Sequence, residues 1–153
     1  MEVQVKTARQ IFENIILILS TIILLPLTII DFMYGFSSDN CLLVYPKNIH
    51  IHLKKYLLVS AFLQLNAIVY FIYEIMIYYS NTKTSVEYLV FSIAFQLFIN
   101  LFQLLWNVIG SIVFWGYIYK LNLCDISISN YMFSSLIIKF ILNYVIMISI
   151  KKE

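Results

Sequence analysis

The sequence predicts an all-α polytopic membrane protein, with four transmembrane helices in an antiparallel bundle. Three observations carry that prediction. Of 153 residues, 62% are hydrophobic and only 12% are charged, about half the charged share of a soluble domain. Four stretches are long and apolar enough to cross about 30 Å of hydrocarbon. None of them shows the period-two alternation of a membrane barrel strand, so each must satisfy its backbone in lipid as a helix.

The first span runs from about residue 11 to 30, where Asp31 is expected to end it. Its N-terminal flank, MEVQVKTAR, offers Lys6 and Arg9 before the apolar run, as a signal peptide would. The run is long and has no small-x-small cleavage pattern, which favours a retained anchor. The second span covers about 56–79 and the third about 88–119. The fourth covers about 129–150. Outer loops are expected at 31–55 and 120–128. Tyr70, Tyr73, Tyr78, Tyr79, Tyr88, Tyr117 and Tyr119 gather toward span ends, as interface aromatics do. The third segment is too long for one straight crossing. As a helix it would measure about 48 Å, so tilt, a bend near Gly110 or projection beyond the bilayer must absorb the excess. Projection with tilt is the expected solution.

An even number of spans puts both termini on one side. Lys6, Arg9, Lys83, Lys151 and Lys152 lie there, against Lys47, Lys54, Lys55 and Lys120 on the other. By the positive-inside rule this narrowly favours cytoplasmic termini, in the plasma membrane or an endomembrane. Cys41 and Cys124 then share the outer side, where an oxidising environment permits a disulfide. Two unrelated thiols fit the spacing equally well.

Polar residues inside the spans are the informative ones. Ser92, Gln96, Asn100, Gln103, Asn107 and Gly110 recur at steps of four or three along the third span, which keeps all six on one helical face. The second span has a weaker stripe of Ser60, Gln64, Ala67 and Glu74. The first has Asn14, Thr21 and Thr28. These faces should turn inward. They could line a path for an ion or small solute, or simply pack the helices through hydrogen bonds of about 0.6 kcal/mol each. A single four-helix bundle has little room for a conduit, so a pore would need several copies. Packing explains the regular steps more economically.

Lys139 is the sharper anomaly. It sits mid-span, with Ser135 and Asn143 four residues to either side. An ammonium there costs about 2.5–3.5 kcal/mol on insertion scales, which calls for a named partner. Gln64, the Asn100–Gln103 amides and Glu74 are the candidates. Snorkelling or loss of the proton is the alternative.

Enzyme chemistry finds no support. No Gly-rich phosphate loop, Ser-His-Asp arrangement or intramembrane carboxylate pair is visible, and no cofactor is expected. His50 and His52, near Asp39 and Cys41, match no standard zinc spacing, so no metal site is expected. With no basic cluster beyond a pair, nucleic acid is not an expected partner. The expected partners are the lipid bilayer and either further copies of the chain or another membrane protein.

The stretch IDFMYGFSSDNCLLVYPKNIHIHLKKYLLV resembles the transmembrane protein 272-like family, small four-span animal proteins, through Gly35, Asp39, Cys41, Pro46, Ile51, Tyr56 and Leu57. The segment LLWNVIGSIVFWGYIYK is similar to that family's third-span block through Trp106, Gly110 and Trp115. LCDISISNYMF resembles its approach to the fourth span through Cys124 and Asp125. The resemblance covers about residues 30–145. It implies a four-span protein with no established activity to carry over, and it favours pairing of the two cysteines, which both fall in matching motifs. Leu42 and His52 stand where the family has prolines, and Lys139 where it has an apolar run. On these grounds the sequence points to a non-enzymatic interaction or assembly protein. A channel or transporter subunit is the alternative.

Overall fold

A computed structural model describes residues 2–46, 50–80 and 86–151. The side chains of residues 2–10, 13, 78, 86, 89 and 149–151 are outside this description. Of the charges that set the expected topology, Lys47, Lys83 and Lys152 therefore fall outside it, as do the side chains of Lys6, Arg9 and Lys151.

The described residues form four long helices, each with a segment apolar enough to cross a membrane. Helix α1 spans Glu2–Phe36, α2 Leu53–Ser80, α3 Val86–Val113 and α4 Ile126–Lys151. The spans themselves are Asn14–Phe36, Leu53–Ile77, Val90–Tyr119 and Ile126–Ile148. Helix α1 packs most extensively on α2, α3 contacts both α4 and α2, and α1 meets α4 along a shorter seam.

The element ends differ from the sequence expectation in one consequential place. Asp31 does not end the first span; α1 continues through it to Phe36. The first outer loop is correspondingly shorter than 31–55, since α2 already begins at Leu53. Helix α4 likewise starts at Ile126, inside the loop expected at 120–128. Pro26 lies within α1, where it removes one backbone donor from the helical ladder.

In the long third segment Gly110 sits within continuous helix. The segment's outer end widens into a π-helical turn, Phe114–Tyr119. A Schellman closure follows, with Leu123 N–H donating to Ile118 O and Asn122 N–H to Tyr119 O, both at 3.2 Å. Asn122 takes the left-handed conformation, φ 49°, that this motif requires and that asparagine tolerates better than most residues. The chain is thereby turned back at once, and Cys124 emerges beside Cys41. Cys41 lies in a 3₁₀ turn, Asn40–Leu43, and the two cysteines are joined as a disulfide across 83 residues of sequence.

Two apolar layers fill the bundle. The outer one, meaning the one nearer the disulfide, combines Leu42, Leu53, Tyr56, Leu57, Val113, Phe114, Ile118, Ile128, Met132 and Leu136. The inner one combines Leu24, Ala67, Ile68, Phe71, Leu142 and Ile146. On α2 the residues between these layers include Ser60 and Gln64; on α4 they include Lys139. A polar layer separates the two.

Candidate functional site: an intramembrane ion-pair cluster

The polar layer is built from opposite charges on α1 and α4. Asp31 and Lys139 both have no exposed side-chain surface, and Lys139 Nζ lies 2.7 Å from Asp31 Oδ2. A lone charge here would be prohibitive, and a buried pair is tolerable only if the remaining donors and acceptors are also met. They are. Gln64 Nε2 donates to Asp31 Oδ2 at 2.7 Å and to Ser60 Oγ at 2.8 Å. Tyr131 OH donates to Asp31 Oδ1 at 2.5 Å. Lys139 Nζ also donates to Ser60 Oγ at 3.0 Å and stands 5.4 Å from the centre of the Tyr56 ring, a cation–π arrangement. Thr28 Oγ1 lies 3.1 Å from Gln64 Oε1, which orients the amide so that its NH2 faces the carboxylate.

Helical periodicity assembles these groups. On α4, Tyr131, Ser135, Lys139 and Asn143 follow one another at steps of four, so Tyr131 and Lys139 reach Asp31 from the same face. On α2, Ser60 and Gln64 stand one turn apart, and on α1 Thr28 and Asp31 do. The long stem of Lys139 runs through apolar surroundings while its head enters the polar layer.

The sequence-predicted residues divide by what the structure brings together. Gln64 belongs to the cluster, but as a donor to Asp31 and Ser60 rather than to Lys139. Glu74, proposed as a partner of Lys139, is engaged elsewhere. It accepts from Ser92 Oγ at 2.6 Å and Tyr88 OH at 3.3 Å, with Tyr70 OH 2.5 Å from Ser92 Oγ. The acidic partner of Lys139 is Asp31, which sequence reading had placed at a span end. The stripe Asn14, Thr21, Thr28 held the signal for it, because one further step of three lands on Asp31.

Along α3, Ser92, Asn100, Gln103 and Asn107 are buried, and Gln96 is half-buried. Asn107 Oδ1 accepts from Tyr56 OH at 3.1 Å. Gly110 carries the same ring, for a Cβ there would come within 2.3 Å of Tyr56 ring atoms. Trp106 stacks on Tyr56 and donates from Nε1 to Tyr56 O at 3.1 Å. The seam's outer end is thus a socket for Tyr56, whose ring in turn faces Lys139. Among the described residues, Asn107 Nδ2, Asn143 Nδ2, Ser135 Oγ and Trp115 Nε1 are buried without a hydrogen-bond partner.

At the disulfide end of the bundle His52 caps α2, its Nδ1 accepting from Lys55 N–H at 2.9 Å. Partial burial, with Lys55 and Lys54 adding to it, holds its pKa below the ordinary 6.5. Neither histidine joins a metal-binding cluster among the described residues. Cys41 is committed to the disulfide.

Chemically, the central cluster is a neutral, hydrogen-bonded clamp. Its lysine is sealed from solvent, and its carboxylate has three donors in place. It fastens α1, α2 and α4 to one another between the two apolar layers. Comparison of the chain with protein-family models, with curated proteins and with solved structures finds no match.

Proposed function

We propose that this chain is a non-enzymatic multi-pass membrane protein that works by interaction or assembly with other membrane components. The observation that carries the reading is where its polar groups go. Lys139 is neutralised by Asp31 of the same chain, and Ser92, Asn100, Gln103 and Asn107 are buried within the same bundle. Lys139, Ser92 and Asn107, which would have to face a shared pore, are bonded instead to Asp31, Glu74 and Tyr56 of the same chain. The faces left to lipid are largely apolar, including the stacked pairs Phe91–Phe95 and Phe98–Phe102 on α3. The resemblance to the transmembrane protein 272-like family brings no established activity to this reading; the positions that carry it include Cys41 and Cys124, which are paired, and Trp106 and Gly110, which hold the Tyr56 socket. On this proposal the termini face the cytoplasm, in the plasma membrane or an endomembrane.

A second reading, an oligomeric channel or transporter subunit, draws on Asn107 Nδ2, Asn143 Nδ2 and Ser135 Oγ, which are buried without a hydrogen-bond partner among the described residues. Reconstitution into planar bilayers separates the two. The assembly reading expects no conductance above that of protein-free bilayers, together with a defined higher-mass species on cross-linking in native membranes. A conductance that disappears in a folded Lys139→Leu variant would overturn it.

A further inference from the structure

Most amides along the spans turn inward: Gln64, Asn100, Gln103, Asn107 and Asn143 are all buried. Asn66 is the contrast. It is exposed, near the centre of the 25-residue span Leu53–Ile77. Helical spacing puts it there, since the buried residues Ser60, Gln64, Ala67 and Phe71 mark the inward face of α2. Asn66 stands two residues past Gln64, about 200° around the helix. A side-chain amide has two N–H bonds and a carbonyl oxygen to satisfy. Asn66 Nδ2 donates to Phe62 O, one turn back on its own helix, at 2.8 Å. Its second N–H and its Oδ1 have no partner among the described residues, and hydrocarbon supplies neither donor nor acceptor.

The residues flanking Asn66 form a seam. Phe62, Asn66, Val69, Tyr73 and Met76 follow one another at steps of four, three, four and three, the spacing of the contact positions in a left-handed helix pair. The four apolar members are between 48% and 61% exposed, so the bundle leaves the seam open. A single polar residue inside such a seam is a device that fixes register and the number of partners.

Symmetry selects the occupant. Two copies inserted the same way are related by a two-fold axis along the membrane normal, so each seam residue meets its counterpart at the same depth. An amide is its own complement, because its N–H donates to the carbonyl of a second amide while the reverse bond forms. A different membrane protein would have to carry a polar group at the depth of Asn66; a second copy has one there by symmetry.

We infer that the outward face of α2 is a homodimer interface, in which the Asn66 amides of two copies bond to each other within an apolar seam of Phe62, Val69, Tyr73 and Met76. This deepens the assembly reading and rests on it, naming the partner as a second copy and the face that meets it.

The test uses the intact chain, purified and reconstituted alone in lipid vesicles, with pairing read by single-molecule photobleaching over a series of protein-to-lipid ratios. The parent should dimerise. Asn66→Leu should raise the dimer dissociation constant about tenfold, whereas Asn66→Gln, which restores an amide, should keep most of the pairing. Asn66 is exposed and bonds only within its own helix, so Asn66→Leu leaves the interior of the bundle untouched. Phe62→Cys and Asn66→Cys should cross-link between copies under mild oxidation. Leu105→Cys on α3 and Ile141→Cys on α4 should not, although those positions are 55% and 56% exposed, as Phe62 is at 55%. A parent that stays monomeric at every ratio, an Asn66→Leu chain that pairs as tightly as the parent, or equal cross-linking at Leu105→Cys and Asn66→Cys would overturn the interface. A chain that is monomeric alone yet cross-links in native membranes has another protein as its partner, which overturns the homodimer and leaves the assembly reading standing. The assembly reading itself fails on a different result, the absence of any higher-mass species in native membranes.

Discussion

Removing one member of the Asp31–Lys139 pair should be far worse than removing both. In Lys139→Met the Asp31 carboxylate keeps its Tyr131 and Gln64 donors but loses its countercharge. In Asp31→Leu the Lys139 ammonium keeps only Ser60 and the Tyr56 ring. Breaking a buried pair in this way costs about 3–5 kcal/mol. The double variant leaves little unsatisfied. Tyr131 OH retains Leu27 O at 3.2 Å, and Gln64 Nε2 retains Ser60 Oγ at 2.8 Å. Its stability should equal the parent's or exceed it by about 1–4 kcal/mol, as when apolar residues replace a buried ion pair elsewhere. Unfolding in mixed detergent micelles, followed through Trp106 and Trp115 fluorescence, reads all four corners of the cycle. If the single variants do not yield folded protein, rescue by the second substitution reads the same sign. Strict additivity, or single variants within about 1 kcal/mol of the parent, would refute the reasoning, since contacting charges must couple.

The remaining predictions concern the bundle's outer half. Gly110→Ala drives a methyl into the Tyr56 ring, which Asn107, Trp106 and Lys139 hold in place; a loss of about 1–3 kcal/mol is expected from overpacking, measured by the same unfolding assay. Cys41→Ser and Cys124→Ser should give the same altered mobility on non-reducing gels, with a loss of about 4 kcal/mol in the chain-entropy picture. A mobility difference that persists in Cys41→Ser would contradict the pairing. His52 has a lowered pKa in the folded chain, so the unfolded state binds more protons between that value and 6.5. Its stabilising contribution is complete above pH 6.5 and is lost as the pH falls through the folded pKa. Thermal unfolding between pH 7.5 and 5.5 should therefore show a decrease that His52→Asn, which keeps a capping side chain but does not titrate, removes.

Much of the architecture was legible because the signals that set it are local. Apolar runs specify spans, and steps of three and four specify which face of α3 is buried. Lys139 stood out by the same logic, as a charge in the wrong solvent. Its partner did not stand out, because Asp31 follows 20 largely apolar residues and reads as the point where a helix meets water. Only the apolar continuation FMYGF argues otherwise, together with the register it shares with Thr21 and Thr28. A carboxylate near a span end is ambiguous by itself. It becomes informative when another span carries an uncompensated lysine, since the desolvation penalty of one charge is the reason to bury the other.

The α3 face shows where periodicity stops being informative. Six positions share one orientation, yet their surroundings differ along the helix. Ser92 relays Tyr70 to Glu74, Asn107 and Gly110 seat Tyr56, and Asn100 borders a small crevice against α2. Burial follows from spacing on one helix, whereas bonding depends on the register between helices, which spacing on one helix does not contain. Tyr56 illustrates the difference. Its ring touches α3 through Gly110 and Asn107 and faces α4 through Lys139, so it couples the polar seam to the ion pair. In the sequence it is one tyrosine among 12, placed near the start of a span as interface tyrosines are. Gly110 was the available clue: a glycine on an otherwise polar, inward face leaves room for one large ring, and a ring reaching it must come from a neighbouring helix.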